Sequence, residues 1–177
     1  MRYFIAIDLP INVKAGIFRE SKKLQRKNLF KGNFTKKENL HLTLKFLGSL
    51  TNKELEKIRE KLREINFKKF FCEIGEVGFF YKGKKIRIIW VDLLSNKLNG
   101  LQKKISELLE GGNKNFNSHI TIARVRSVSN KQRLIEKVEE IDFKKISFEV
   151  KEFVLMKSEL TKQGRRYSIL DRFNIYH

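Results

Sequence analysis

Two stretches of the chain, His41-Leu42-Thr43-Leu44 and His119-Ile120-Thr121-Ile122, are copies of one phrase. Only the terminal His177 adds a third histidine. On a β-strand, side chains alternate faces, so His and Thr of each copy share one face and the aliphatics share the other. One face then carries chemistry while the opposite face seals a core. Strand rise places a His and the Thr two residues on roughly 7 Å apart, too far for direct deprotonation of the hydroxyl. That spacing suits His and Thr touching one substrate group from adjacent positions. An imidazole titrates near neutral pH, so one histidine can accept a proton while another donates one. Paired acid–base attack on phosphorus follows: one imidazole activates water and the other protonates the leaving oxygen. Thr43 and Thr121 donate to the non-bridging oxygens, and Arg124, five residues after His119, adds a fixed cation. Two histidines on separate strands, with no Cys or carboxylate in either motif, make a poor zinc set, so no metal or cofactor is expected. No G-x-S-x-G elbow is present, which argues against a serine triad.

These residues must be positioned by elements that the patterning predicts. Residues 2–9 read as a buried strand and 11–28 as a helix with a broken apolar face. Residues 40–47 form the first motif strand. Thr51-Asn52-Lys53-Glu54 is a capping box opening a helix to about Ile65. Strands follow at 70–79 and 86–93, joined by the basic turn Tyr81-Lys82-Gly83-Lys84-Lys85. A helix over 95–109 ends at Gly111-Gly112, and a polar loop at 113–117 leads into the second motif strand, 118–125. Ser129-Asn130-Lys131-Gln132 reads as a second capping box, opening a helix to about Glu140. The last strands are expected at 146–157 and 166–175. Each half thus repeats strand, helix, motif strand, helix. A duplicated unit related by a pseudo-twofold puts two histidines 78 residues apart into one cleft.

The chain has 177 residues, 41% of them hydrophobic, which suits a single two-lobed domain over 1–177. No apolar run approaches a membrane span, and Asp8 and Pro10 interrupt the N-terminal apolar stretch, so a cytoplasmic protein without membrane contact is expected. Cys72 is the only cysteine and reads as a small buried hydrophobe. Lys and Arg total 39 against 20 Asp and Glu, a net charge of +19. A field of that sign favours polyanions, nucleic acid first. Lys22 to Lys37 holds seven basic residues and no acidic one, which fits either a solvated face or a phosphate-facing edge.

The stretches Arg2 to Pro10, Asn39 to Gly48 and His119 to Val125, with a C-terminal run from Phe153 through Tyr167 to Leu170, resemble the RNA 2',3'-cyclic phosphodiesterase / 2'-5' RNA ligase family of the two-histidine phosphoesterases. The resemblance runs in order over essentially the whole chain. It implies an α+β, bilobal, pseudo-twofold duplicated fold, with two antiparallel sheets lining a central cleft and helices outside. It implies metal-independent hydrolysis of a terminal 2',3'-cyclic phosphate on RNA to a 2'-phosphate. By the family's pattern His41 is the general acid toward the 3'-oxygen and His119 the base that activates water. Thr43, Thr121 and Arg124 hold the phosphate, and Tyr167 lines the cleft. Ile122 stands where Leu is usual, and Arg165-Arg166 precede Tyr167 where small residues or Pro are common.

The expected partner is RNA bearing a cyclic phosphate end, with tRNA fragments as one source, met by a monomer. Two other readings remain open. One runs the chemistry in reverse, as a 2'-5' RNA ligase joining tRNA halves. The other is a non-catalytic RNA-binding module that uses the charge alone. Phe46 and Leu47 read as core residues; Phe79, Phe80 and Tyr81 read as core or turn packing, or as a stacking platform.

Overall fold

A computed structural model of the chain describes residues 1–110, 116–143, 146–162 and 164–176. The described elements are β1 (Arg2–Asp8), α1 (Ile11–Arg26), β2 (Phe30–Phe34), a 3-10 turn (Lys37–Asn39), β3 (His41–Gly48), α2 (Asn52–Arg63), β4 (Phe70–Lys82) and β5 (Lys85–Leu94). Then come α3 (Leu98–Leu108), β6 (His119–Val128), α4 (Lys131–Glu139), β7 (Ser147–Val150), β8 (Glu152–Thr161) and β9 (Gly164–Asn174). The fold is α+β, as expected. The helix stop at Gly111-Gly112, most of the loop at 113–117, and His177 lie outside the described residues.

The strands run in the order β7-β4-β5-β6-β3-β1-β8-β9, with β2 also on β6, and the pairings between them are antiparallel. The two expected sheets are two halves of this ladder. They join through β3 and β6 at one register pair, Leu42↔Ile120. Beyond that pair, β2 takes over the same edge of β6, from Phe34↔Ala123 to Phe30↔Val128. Sequence patterning gives no strand at 30–34. Its lone glycine and exposed pattern show no alternation, and Gly32 is required because a Cβ there would lie 2.2 Å from the Arg124 carbonyl oxygen.

Alternation does the rest. Tyr3, Ile5, Ile7, Leu42, Leu44, Ile89, Val91, Ile120 and Ile122 are buried with Val13 and Ile17 of α1, Leu62 of α2, Leu101 and Ile105 of α3 and Leu134 of α4 in one core cluster. The opposite face of β1 and β8 carries a small cluster of Phe4, Ala6, Val154 and Met156. The Thr51–Glu54 capping box forms as expected. The second does not: Asn130 caps α4 by accepting from the Arg133 amide, and the Ser129 hydroxyl donates to the Leu29 carbonyl instead. Asn and Ser are equally good caps, so sequence alone could not choose between them. The strand expected at 146–157 divides at Lys151, because β7 pairs with β4 and β8 pairs with β1 and β9. The β4–β5 hairpin is longer than expected. It closes on Gly83-Lys84, where Gly83 sits at φ +56, a left-handed conformation open to glycine without strain. Burial pushes the Cys72 thiol up to about 12, as a buried small hydrophobe requires. No helix among the described residues is long and apolar enough to cross a membrane.

Candidate active site

The two motif strands meet antiparallel at the pair Leu42↔Ile120, the second residue of each motif. In that register His41 stands beside Thr121 and Thr43 beside His119. Leu42 and Ile120 are fully buried, so their motif neighbours face the other way. His41, Thr43, His119, Thr121, Arg124 and Tyr167 all line one cavity of about 700 Å³. Arg2, Thr35, Asn39, Phe46, Phe80 and Arg165 complete much of its wall. Every site residue expected from sequence is therefore brought to the same cleft.

Both imidazoles are held alike. His41 Nδ1 is 2.8 Å from the Asn39 carbonyl oxygen, and His119 Nδ1 is 2.8 Å from the Asn117 carbonyl oxygen. A carbonyl only accepts, so each Nδ1 carries a proton and each Nε2 is left for chemistry. The two asparagines extend the repeated phrase to Asn-x-His-x-Thr, a signal present in the sequence that the shorter motif omits. Thr43 Oγ1 lies 3.0 Å from His41 Nε2. That corrects the spacing of roughly 7 Å drawn from strand rise: the imidazole leans along its strand toward the hydroxyl. Aromatic rings brace both histidines. Phe4 and Tyr167 sit 5.0 and 5.2 Å from the His41 ring, and Phe80 meets His119 edge-on at 4.8 Å. Phe80 in turn packs on Trp90, while Phe79 joins the core and Tyr81 lies under Lys131.

Arg124 reaches the cleft by an irregularity that spacing alone does not reveal. Five residues is an odd interval, so a regular strand would send Arg124 to the core face. Trp90 pairs with Thr121 and Ile89 with Ala123, which leaves Ile122 without a partner in that ladder. Ile122 and Ala123 are both buried, alternation resets, and Arg124 emerges on the side of His119. β3 has the matching bulge: Ala6 pairs with Thr43 and Ile5 with Lys45, skipping Leu44. The residue that it turns outward is Phe46, which is 70% exposed and lines the cleft. Phe46 is therefore not a core residue, whereas Leu47 does pack against the core.

Each histidine also faces an aspartate across its ladder, Asp8↔His41 and Asp92↔His119. Asp8 is bound by Lys14 Nζ at 2.5 Å, and Lys14 also donates to the Glu38 carbonyl at 3.3 Å. Asp92 accepts from the Leu93 amide at 2.7 Å, and its carboxyl is raised above the usual range, chiefly by burial. Burial lowers the His41 imidazole from 6.5 to about 4; the Asn39 carbonyl and Asp8 oppose the shift, while Lys14 and His119 add to it. Neither aspartate stands out in the sequence by itself. The shared tripeptides Ile7-Asp8-Leu9 and Val91-Asp92-Leu93 are the available sign.

A family model described as "LigT like Phosphoesterase" matches residues 7–90 and 91–167, one His-x-Thr copy in each segment. A Methanocaldococcus jannaschii protein named "RNA 2',3'-cyclic phosphodiesterase" is 33% identical over 177 residues, covering 96% of this chain and 98% of that protein. A Thermotoga maritima protein of the same name is 32% identical, covering 96% and 93%. Among solved structures, a Thermus thermophilus protein superposes with a TM-score of 0.84 at 23% identity, covering 99% of this chain and 98% of that one. Escherichia coli LigT in apo form superposes with a TM-score of 0.79 at 24% identity, again over 99% and 98%. At these identities the structural matches speak to the fold.

Proposed function

The chain belongs to the LigT-like phosphoesterase family, and on that premise we propose that it hydrolyses the terminal 2',3'-cyclic phosphate of RNA to a 2'-phosphate. Water attacks phosphorus in line with the P–O3' bond. Nε2 of neutral His119 takes a proton from that water. The P–O3' bond breaks, and Nε2–H of protonated His41 delivers its proton to O3'. Thr43 and Thr121 donate to the non-bridging oxygens, and Arg124 offsets the charge that builds on them. Tyr167 supports the ring of His41. The observation that carries this reading is the matched pair of imidazoles: both have Nδ1 tied to a carbonyl, and both open onto the cavity that holds the two threonines and Arg124. These side chains supply acid, base and anion binding themselves, so turnover needs no metal. The natural substrate is an RNA end, of which tRNA fragments are one source, and the working unit is a monomer in the cytoplasm.

Purified protein with EDTA is assayed on an oligonucleotide ending in a cyclic phosphate, with the product identified by 31P NMR. The expected result is a 2'-phosphate with full activity in EDTA, and loss of at least about 10³-fold in kcat for His41→Ala and His119→Ala. Turnover that requires metal, or full activity in His41→Ala, would overturn the mechanism. Paired tRNA halves in the same assay detect the reverse, 2'-5' ligase, direction. RNA binding that survives loss of both histidines, with no turnover, would mark a non-catalytic binding module.

A further inference from the structure

Charge in the sheet half that carries His119 is sorted along the strands. At one end stand Asp92, opposite His119, and Glu73 and Glu76 of the neighbouring β4. At the other end, past Arg124, come Arg126 on β6, Arg87 on β5, and Lys82 and Lys85 flanking the hairpin turn. β6 and β2 contain no acidic residue. Val125 is buried between exposed Arg124 and Arg126, which turns both arginines to the same side although Arg126 drops out of the ladder with β2. Arg87 lies beside it, its guanidinium donating to the Arg126 carbonyl at 3.2 Å. Tyr81 pairs with Ile86, which is buried in the core, so the next pair outward, Lys82↔Lys85, turns to the cleft side. All four cations are exposed, and among the described residues none has a carboxylate within 4.0 Å.

A row of cations with no local counter-ion, continuous with the arginine of the phosphate site, is an anion track rather than a solvated salt-bridge surface. Strand rise carries it about 10 Å beyond Arg124, far enough to meet the phosphate next to the reacting one. The carboxylates at the opposite end repel a polyanion from that direction. We propose that Arg126, Arg87, Lys85 and Lys82 form a binding track for the RNA chain on the 5' side of its cyclic phosphate end. This rests on the functional reading above and deepens it. The protein recognises a polynucleotide end, and it gains affinity from internucleotide phosphates that a mononucleotide lacks.

The test uses the full chain and an Arg87→Gln/Arg126→Gln double variant, with Lys82→Gln/Lys85→Gln as a second. Two substrates are compared, a cyclic mononucleotide and a hexanucleotide ending in a cyclic phosphate. Expected is an unchanged kcat/KM on the mononucleotide and a loss of about tenfold on the hexanucleotide at low salt. The slope of log(kcat/KM) against log[salt] for the hexanucleotide should also become shallower by about 1.4 for two lost contacts, at about 0.7 per single-strand phosphate. An equal loss on both substrates would overturn the track, since the arginines would then serve the reacting phosphate or the fold. No loss on the hexanucleotide would overturn it too. If the wild-type protein turns over neither substrate, the functional reading fails by itself. Anisotropy binding of a hexanucleotide ending in a 3'-phosphate, with and without the substitutions, then decides the track independently.

Discussion

At the scale of single residues, the two motif histidines are chemically alike but electrostatically different. Lys14 neutralises Asp8 behind His41, while Asp92 faces His119 without a paired cation in its ladder. Burial holds His41 near 4, so in the free protein it is neutral at pH 7. The general-acid role proposed for His41 requires a proton on its ring, and a phosphodiester anion bound beside it would supply the charge that lifts its pKa. His41 ring signals in an NMR titration should therefore move near pH 4 in the free protein and at clearly higher pH with a phosphate or sulfate bound; a titration near 6.5 without ligand would contradict this. The same shift sets a stability profile. The folded value lies below the unfolded value of 6.5, so the unfolded chain binds the extra proton first. Stability from this group is full above about pH 6.5 and is lost as pH falls through 4, by on the order of 3 kcal/mol. Urea melts between pH 7 and pH 4 should show that loss, and His41→Asn should remove it. Asp92 is the second expectation at this scale. On the proposed mechanism, its carboxylate would stabilise the positive charge that His119 gains on taking the proton from water. Asp92→Asn should lower kcat by about tenfold with little change in KM; an effect confined to KM would place Asp92 in binding instead.

At the scale of elements, the site depends on two β-bulges and on a glycine beneath an indole. A Cβ on Gly78 would lie 2.4 Å from Trp90 Cζ2, and Trp90 packs at 5.2 Å in a tilted contact with Phe80, which braces His119. In a strand, Gly to Ala normally gains about 0.5–1 kcal/mol from backbone entropy. Here overpacking costs about 1–3 kcal/mol and should win. Gly78→Ala should lower the melting temperature and also kcat, through the displaced Phe80. An activity loss without a stability loss would show that Trp90 moves freely. The bulges explain what can be read in the sequence and what cannot. His41, Thr43, His119 and Thr121 are legible because their faces follow strict alternation from a single tetrapeptide. Arg124 is legible as a cation near the motif, but its interval of five residues points to the core until Ile122 drops out of the ladder with β5. Phe46 is misplaced by alternation for the same reason, since Leu44 drops out of the ladder with β1. A bulge is a property of two strands together, and one strand's pattern cannot announce it. Helices with strong stripes and the Thr51–Glu54 cap are legible from local rules, whereas β2 forms only because β6 has a free edge beyond Leu42↔Ile120.

At the scale of the whole molecule, the two motif strands share a single ladder pair, β2 crosses onto β6 beyond it, and both halves share one core. The buried cluster runs without interruption from Ile5, Ile7 and Leu42 in the first half to Ile89, Val91 and Ile120 in the second, with helices α1 to α4 packed on it. Backbone pairing between the motif strands is a single pair and β2 adds a ladder on β6, so apolar burial and the β2–β6 ladder together supply the union of the halves. Leu42 and Ile120 are both fully buried at the junction, and truncating either removes contacts from both halves at once. Leu42→Ala or Ile120→Ala should cost about 2–5 kcal/mol, the range for a large-to-small change in a packed core. If the halves are one folding unit, far-UV circular dichroism and the fluorescence of Trp90 should report one coincident transition in the wild-type protein and in both variants. Trp90 lies in the second half, beside Thr121, and circular dichroism averages both halves. Two separated transitions in Ile120→Ala would mean that the lobes fold independently and that the histidines meet only after docking. A coincident, shifted transition would mean that the strand pair that brings His41 and His119 together also makes the two repeats one body.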